Sequence, residues 1–287
     1  RRQARYHQTS QRHQAIRRHP LTGWRGLAAL GFCLLPLTFG FLVPAGQLAA
    51  WALEVAGATL DEAFWRLVGH SLGLAATAAV LALLLALILG YGQRLQPTRA
   101  VRTAVRVAGL GYAVPGTVIA VGVIIPFGWL DNRVDAWMRA TFDLSTGLLL
   151  SGTLAALLFA YLARFLAVAL QTVESGLGKI RPAMDESARA LGLSPGAVLG
   201  RVHLPMLRGS LFTALLLVFV DVLKELPATL ILRPFNFNTL AVRVYELAAD
   251  ERLADAAPAA LAIVLAGLAP VILLSRSITR SRHAQPN

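Results

Sequence analysis

Three ionisable residues interrupt an otherwise apolar segment at about 209–232, and they are the side chains best suited to handling a charged solute. Asp221, Lys224 and Glu225 lie at i, i+3 and i+4, which predicts one shared helical face. If this segment crosses a membrane, such costly charges should face a bundle interior or a watery path. Two interpretations stay open: the residues line a solute path, or an internal Asp–Lys or Glu–Lys pair holds helices together.

A second candidate is the dipeptide Pro115–Gly116, inside the apolar run 107–130. Proline lacks a backbone N–H and its ring crowds the preceding turn, so the dipeptide should break a helix locally. From the residues alone, a kink that serves packing is one explanation of this break.

Motifs for catalysis, nucleotide binding and metal binding are missing from the sequence. Gly178-Lys179 lacks the upstream Gly and the following Ser or Thr of a phosphate-binding loop. No cysteine pair and no H-E-x-x-H motif indicates zinc. His7, His13 and His19 recur every six residues, a spacing that does not place them on one helical face. We therefore predict no catalytic residue, no metal site and no cofactor bound by this chain.

The elements that must position these residues are membrane helices. The chain is 56% hydrophobic and only 15% charged, with a mean hydropathy of +0.61. A helix needs about 20 apolar residues to cross a bilayer. Five segments of that length contain no Asp, Glu, Lys or Arg, and the segment with the three charges is a sixth. The five are 26–53, 67–93, 107–130, 144–163 and 256–275. The sequence thus predicts an all-α, polytopic membrane protein with six transmembrane helices.

The positive charges predict the orientation of these helices. A net charge of +12 on a soluble domain would suggest a nucleic-acid partner, but here the excess lies in particular loops. With the N-terminus inside, the inner segments 1–25, 94–106, 171–208 and 276–287 hold 19 Lys and Arg, and the outer loops hold six. The positive-inside rule therefore predicts that both termini are cytoplasmic, with lipid and not nucleic acid around the chain.

The inner segment 171–208 contains a third candidate, the polar sequence ESARALGLSPGAVLGRVHLP that ends at Pro205. A short helix is predicted over 185–191, starting at Asp185, and Gly192 permits a sharp turn after it. Ser194-Pro195 suits the start of a second helix. The segment is predicted to be a compact helix–turn–helix on the inner membrane face. An ordinary amphipathic interfacial loop is the alternative.

This segment resembles the EAA loop of ABC importer permeases, in which EAA, three residues, Gly and nine residues precede Ile-x-Leu-Pro. Ser187 replaces the second Ala of the pattern and Val202 replaces the Ile. The matching positions are Glu186, Ser187, Ala188, Gly192, Val202, Leu204 and Pro205. In that family the loop is a cytoplasmic helix that docks on the ATPase subunit. The resemblance implies a type I ABC importer permease fold, a dimer of ATP-binding subunits that uses the ATP, and no enzymatic activity in this chain. We also expect no room for a side chain at Gly192.

A second resemblance concerns the solute. The run LKELPATLILRPFNFNTL, residues 223–240, resembles the ferric-iron branch of these permeases, and Pro115–Gly116 resembles a Pro-containing motif in helices that line the family's path. His70 departs from an expected Asn. The likeness implies ferric iron delivered by a periplasmic solute-binding protein. Asp221 and Glu225 would then attract the cation along the path, and Lys224 would prevent a deep trap.

The resemblance also implies an organisation for the chain. Residues 1–25 are predicted to be a basic cytoplasmic linker, and 26–287 a six-span permease domain with a cytoplasmic coupling loop at 174–208. The basic start suggests the C-terminal half of a fused two-half permease in a bacterial inner membrane. A separate subunit that pairs with itself or a homologue is the alternative. Other solutes (thiamine, putrescine, sulfate or phosphonate), a secondary transporter or channel, and a membrane enzyme are the competing functions.

Overall fold

The computed structural model describes residues 21–283, and within them every regular element is helical. The predicted linker 1–25 lies mostly outside this range. The chain divides into two units, up to Gln47 and from Leu48 onward. In the first unit, none of the residues from Trp24 to Leu42 is buried. A π turn at Thr38–Leu42 precedes Pro44, which has no N–H for an ordinary helical bond.

The helices of the described residues follow one another without strands between them. In chain order they are α1 (Trp24–Thr59), α2 (Glu62–Leu95), α3 (Arg99–Ala108), α4 (Gly116–Phe142), α5 (Leu154–Leu177), α6 (Pro182–Ala190), α7 (Pro195–Leu223), α8 (Pro227–Leu232), α9 (Leu240–Ala249) and α10 (Leu253–His283). Six are long and apolar enough to cross a membrane: α1, α2, α4, α5, α7 and the part of α10 at Leu253–Ile272. The all-α class and the six membrane helices are confirmed.

The limits predicted for three spans are wrong by about ten residues. The third, placed at 107–130, is α4; the fourth, placed at 144–163, is α5; and the fifth, placed at about 209–232, is α7. Asp131 on α4 explains the late start of α5. Its buried carboxylate accepts the backbone N–H groups of three loop residues, 149 to 151, and so holds this apolar stretch as a loop.

In the second unit, α2, α5 and α7 pack on one another through small residues. Ala82 on α2, Ala160 on α5 and Ala214 on α7 are all fully buried. Gly176 on α5 shows how near the backbones are, because an added Cβ would lie 2.8 Å from Leu207 Cδ2 on α7. Small residues let membrane helices approach closely. These three helices form the frame that carries the candidate sites.

Helix α7 ends at Leu223, which contradicts the prediction that Asp221, Lys224 and Glu225 share one helical face. Lys224 is the C-cap residue, and Glu225 lies beyond the helix. Pro227 provides the physical reason. It has no N–H for the carbonyl of Leu223, and its ring crowds that carbonyl, so the helix stops there. Pro227 instead begins α8.

Candidate functional site

The polar segment between α5 and α7 folds as a helix–turn–helix, as the sequence predicts. Gly192 follows α6 in the left-handed conformation, with φ at +82°, and its N–H donates to the carbonyl of Arg189 at 2.9 Å. Ser194 then caps α7, because its Oγ accepts the N–H of Ala197 at 3.3 Å. The loop predicted at 174–208 overlaps the end of α5 and the first part of α7.

The side chains that match the EAA pattern in α6 are mainly exposed. Glu186 and Ser187 are exposed, Ala188 is buried, and Leu191 beyond the helix is 83% exposed. An added Cβ at Gly192 would meet no atom of the described chain within 4 Å. The expectation that Gly192 lacks room is therefore wrong within this chain. Its requirement is conformational, since the left-handed region favours glycine.

The remaining positions of the pattern lie inside α7. Val202 and Leu204 are half-buried and Pro205 is exposed. A π turn at Leu199–His203 accommodates Pro205, because the N–H of Leu204 reaches back to the carbonyl of Leu199. The end of the pattern is thus continuous with a candidate membrane helix.

A set of largely buried polar contacts fixes this segment to the last turn of α2. Arg94 Nε donates to Asp185 Oδ2 at 2.7 Å, and its Nη1 and Nη2 donate to the carbonyls of Leu177 and Ile180 at 2.6 and 2.9 Å. Asp185 Oδ1 lies 2.6 Å from Nε2 of His203, which is fully buried. One carboxylate therefore joins α2, α6 and α7.

Tyr91, one turn before Arg94, adds a second connection. Its hydroxyl donates to the carbonyl of Pro195 at 2.6 Å, and its ring meets the His203 ring edge-on, with the centroids 5.4 Å apart. Both helices of the segment are thus bonded to α2. The segment cannot move far without moving this helix or breaking these bonds.

Asp185 is held in its ionised form by its neighbours. Burial acts to raise the pKa of Asp185, but the hydrogen bonds and charges of Arg94 and His203 outweigh burial, so its pKa is lowered.

From the sequence alone, Asp185, Arg94 and His203 were not identified as functional residues. Asp185 adjoins Glu186 and His203 lies within the pattern, but Arg94 is 91 residues before Asp185, and no local signal links them.

The ionisable residues near the end of α7 form two separate pairs. Glu225 is 6% exposed, and its Oε1 accepts Arg164 Nη1 from α5 at 2.9 Å and the N–H of Ala228 at 3.2 Å. Lys224 pairs instead with Asp221, at 3.0 Å, and its side chain is 63% exposed. The Asp–Lys pair considered from the sequence is present, but it joins residues three apart at the end of α7 and therefore does not hold two helices together. The expected Glu–Lys pair is wrong, because Glu225 pairs with Arg164 on α5.

The Pro115–Gly116 break lies against the buried ion pair. Pro115 precedes the first turn of α4, and α4 begins at Gly116, so the predicted local break is present. An added Cβ at Gly116 would lie 2.3 Å from Arg164 Nη1 and 2.6 Å from Glu225 Oε1. Only glycine lets the start of α4 approach this closely. The break thus brings α4 to the ion pair.

In the part of the chain that the structure describes, no cluster of three or more His, Cys, Asp or Glu side chains could hold a metal ion. His7, His13 and His19 lie outside the described residues.

The described chain thus has six helices long enough to span a membrane and an exposed helix–turn–helix bonded to one of them. Residues 82–283 match the family described as "Binding-protein-dependent transport system inner membrane component". The matched region is well over half of the chain and contains both candidate sites. The chain therefore belongs to this family, the permeases of ABC importers, and is a multi-pass inner-membrane protein.

Individual relatives carry two different solutes in their names. The chain is 29% identical over 171 residues to the Fe(3+)-transport system permease protein FbpB 2 of Haemophilus influenzae, a match over 60% of this chain and 31% of that protein. It is 28% identical over 174 residues to the putative 2-aminoethylphosphonate transport system permease protein PhnV of Salmonella typhimurium, over 60% and 58%. The alignments thus cover about a third and somewhat over half of these relatives.

Solved structures support the fold. The chain is similar to a bacterial ABC transporter that imports the acidic polysaccharide alginate, with a TM-score of 0.68 and 14% identity over 92% of this chain and 96% of that one. A second alginate transporter structure, in complex with an alginate pentasaccharide-bound periplasmic protein, has a TM-score of 0.67 and 16% identity over 88% and 94%.

Proposed function

We propose that this chain forms one half of the solute path of an ATP-driven importer, and that residues 186–205 couple it to a dimer of ATP-binding subunits. The observation that carries the proposal is the anchoring of this segment to α2 through Asp185 and Arg94. A docking surface can pass a movement to the membrane helices only if rigid contacts connect it to them. Glu186, Ser187 and Leu191 would form the exposed docking face.

The proposed mechanism is alternating access. ATP binding in the partner dimer would draw the coupling segments of two permease halves together, and the second half is either the same chain or a homologue. The contacts of Asp185 would pass that movement to α2, and the π turn would pass it to α7. Rigid-body rocking of the packed helices would then open the path toward the binding protein, and hydrolysis would reset it.

The residues proposed to line the path lie near the end of α7 and the start of α4. Asp221 and Lys224 form the accessible pair, whereas Glu225 is buried and paired with Arg164. We propose that the Asp221–Lys224 pair faces the solute. The Glu225–Arg164 pair, with Gly116 against it, would hold the wall of the path together.

Ferric iron is the proposed solute, on the strength of the named Haemophilus relative and of the run LKELPATLILRPFNFNTL. A phosphonate is the second candidate, because the Salmonella relatives named for 2-aminoethylphosphonate align over a larger share of their own length. For either solute we propose delivery by a periplasmic binding protein, with both termini of this segment cytoplasmic.

The test is solute-stimulated ATP hydrolysis by the assembled transporter in liposomes. Glu186→Lys reverses a charge on the proposed docking face, and we expect it to abolish the stimulation while the permease stays in the membrane. Glu251→Lys is the matched control, since it makes the same change at an exposed residue between α9 and α10. Wild-type stimulation of the Glu186→Lys protein would refute the coupling assignment.

A further inference from the structure

A polar cavity of about 610 Å³ lies among the starts of α2 and α10 and the loop before α9. Its volume is in the range of small-molecule sites. Its walls carry an unusual number of hydrogen-bond donors. They come from Arg66, His70, Asn236, Asn238, Arg243 and Arg252.

The cationic charge of this cavity is only partly compensated. Two acids also line it, Asp61 and Asp255. Asp61 is engaged as the cap of α2, and Asp255 Oδ2 accepts Arg252 Nε at 2.8 Å. Arg66 and Arg243 form no ion pair with any residue between 21 and 283, so two guanidinium groups border the cavity without an anionic partner.

The surrounding backbone and His70 add to this character. The starts of α2 and α10 border the cavity, and Arg243 lines it from the first turn of α9. His70 stacks on Phe237 with the ring centroids 4.5 Å apart. Its Nδ1 is buried and has no hydrogen-bond partner among the described residues. The cavity therefore offers donors and positive potential together.

Positive side chains are concentrated at this cavity relative to the rest of the proposed outer side. In the proposed topology six Lys and Arg lie outside the membrane, where such residues are otherwise scarce, and three of these six line this one cavity. They are Arg66, Arg243 and Arg252. Arginine is the side chain best matched to carboxylate and phosphate geometry.

We propose that this cavity is a binding site for a small multivalent oxyanion at the outer mouth of the solute path. The outward position rests on the proposed function. A bare ferric ion would be repelled by Arg66 and Arg243, but a ferric ion coordinated by an oxyanion would be accepted through that anion. A free phosphate or phosphonate has the same chemistry, so the shared determinant is the oxyanion.

Equilibrium dialysis of the assembled transporter, in nanodiscs of zwitterionic lipid and without ATP or binding protein, tests the site. The probes are radiolabelled phosphate alone and radiolabelled ferric ion with and without phosphate. We expect Arg66→Gln/Arg243→Gln to lower oxyanion affinity by about tenfold or more, since two charge-assisted contacts are lost. Arg133→Gln, another exposed arginine on the proposed outer side, should bind like the wild type.

The outcomes separate the two sources of the anion. Binding of phosphate alone indicates a free oxyanion, whereas binding only in the presence of ferric ion indicates a complex. If the double variant does not assemble, the single variants Arg66→Gln and Arg243→Gln should each lower the affinity. The proposal is overturned if neither probe binds the wild type, or if the variants bind as it does. ATP coupling does not enter this assay, so failure of the coupling assignment would be seen separately.

Discussion

At the scale of single residues, one carboxylate organises the helix–turn–helix between α5 and α7. Asp185 accepts hydrogen bonds from α2 through Arg94 and contacts α7 through His203, while it belongs to α6 itself. Its two partners hold the pKa of this carboxyl below its usual value, so the carboxylate is ionised at neutral pH. If Asp185 were neutral, the largely buried Arg94 would lose its ionic partner.

Asp185→Asn should change the way in which the free energy of unfolding depends on pH. The folded pKa of Asp185 is lower than its ordinary value of 3.8. The stabilisation that its carboxylate gives the folded state is therefore complete above that value and is lost as the pH falls through the folded pKa. We expect the variant to lose about 2 kcal/mol near neutral pH, since the pair is only partly exposed. The measurement is the unfolding temperature of the purified permease at a series of pH values.

The difference from the wild type should shrink in acid, because both proteins then lack the charge. Asp250→Asn, at an exposed acid after α9, should match the wild type at every pH. A constant difference between the Asp185→Asn protein and the wild type down to acidic pH would show that the ionised carboxylate is not the cause.

The second residue-scale prediction concerns the partner of Glu225. Glu225→Gln leaves Arg164 without its anion, and we expect a loss of about 3 kcal/mol and less permease in the membrane. Adding Arg164→Met should restore the amount, because the unpaired charge is then gone. Adding Lys224→Met should not. Quantitative immunoblots of membranes compare these variants. If Lys224→Met restores the amount of the Glu225→Gln protein and Arg164→Met does not, the partner of Glu225 is Lys224.

At the scale of the helices, prolines decide where the elements end and therefore which side chains meet. Pro227 stops α7 at Leu223 and moves Glu225 out of the helix, toward Arg164. Pro115 allows α4 to start at Gly116, against the same ion pair. These two breaks create the buried polar cluster in an otherwise apolar frame.

Close packing between α5 and α7 predicts a position-specific response to adding one methyl group. Gly176→Ala would place Cβ 2.8 Å from Leu207 Cδ2 and from Ser210 Oγ, so we expect a loss of about 1–3 kcal/mol. Gly73→Ala makes the same change on α2, where no atom lies within 4 Å, and should be neutral or stabilising by up to about 1 kcal/mol. Unfolding temperatures of both variants check this, and equal values would contradict the packing argument.

At the scale of the whole molecule, the segregation of charge predicts the sidedness of the protein. Lys and Arg are concentrated in alternate connections, and the proposed coupling residues 186–205 lie in one of these. An ATPase partner must be cytoplasmic, and a cavity for an incoming solute must face outward. The charge asymmetry is compatible with both requirements at once.

Cysteine labelling in intact cells tests this orientation. In a Cys33→Ser background we expect Phe235→Cys, at a residue that is 94% exposed, to react with a membrane-impermeant maleimide. Arg102→Cys, at an exposed residue of α3, should react only after the membrane is permeabilised. The reverse pattern would invert the topology and remove the coupling assignment with it.

The sequence by itself determined the features that depend on neighbouring residues. The length of the apolar segments predicted six membrane helices, and Gly192 and Ser194-Pro195 predicted the helix–turn–helix. The break at Pro115–Gly116 was also evident, because proline and glycine act on their own turn. The resemblance of residues 186–205 to the EAA loop led to the family.

Tertiary structure alone decided the pairings. Arg94 meets Asp185 across 91 residues, and Arg164 meets Glu225 across 61, because α2, α5 and α7 pack side by side. The start of α5 lies later than predicted for a related reason, since the carboxylate of Asp131 binds the backbone of a loop that hydropathy alone predicts as a helix. Whether a charge lines a path, joins two helices or faces a cavity depends on which helix lies next to it, and a linear pattern does not contain that information.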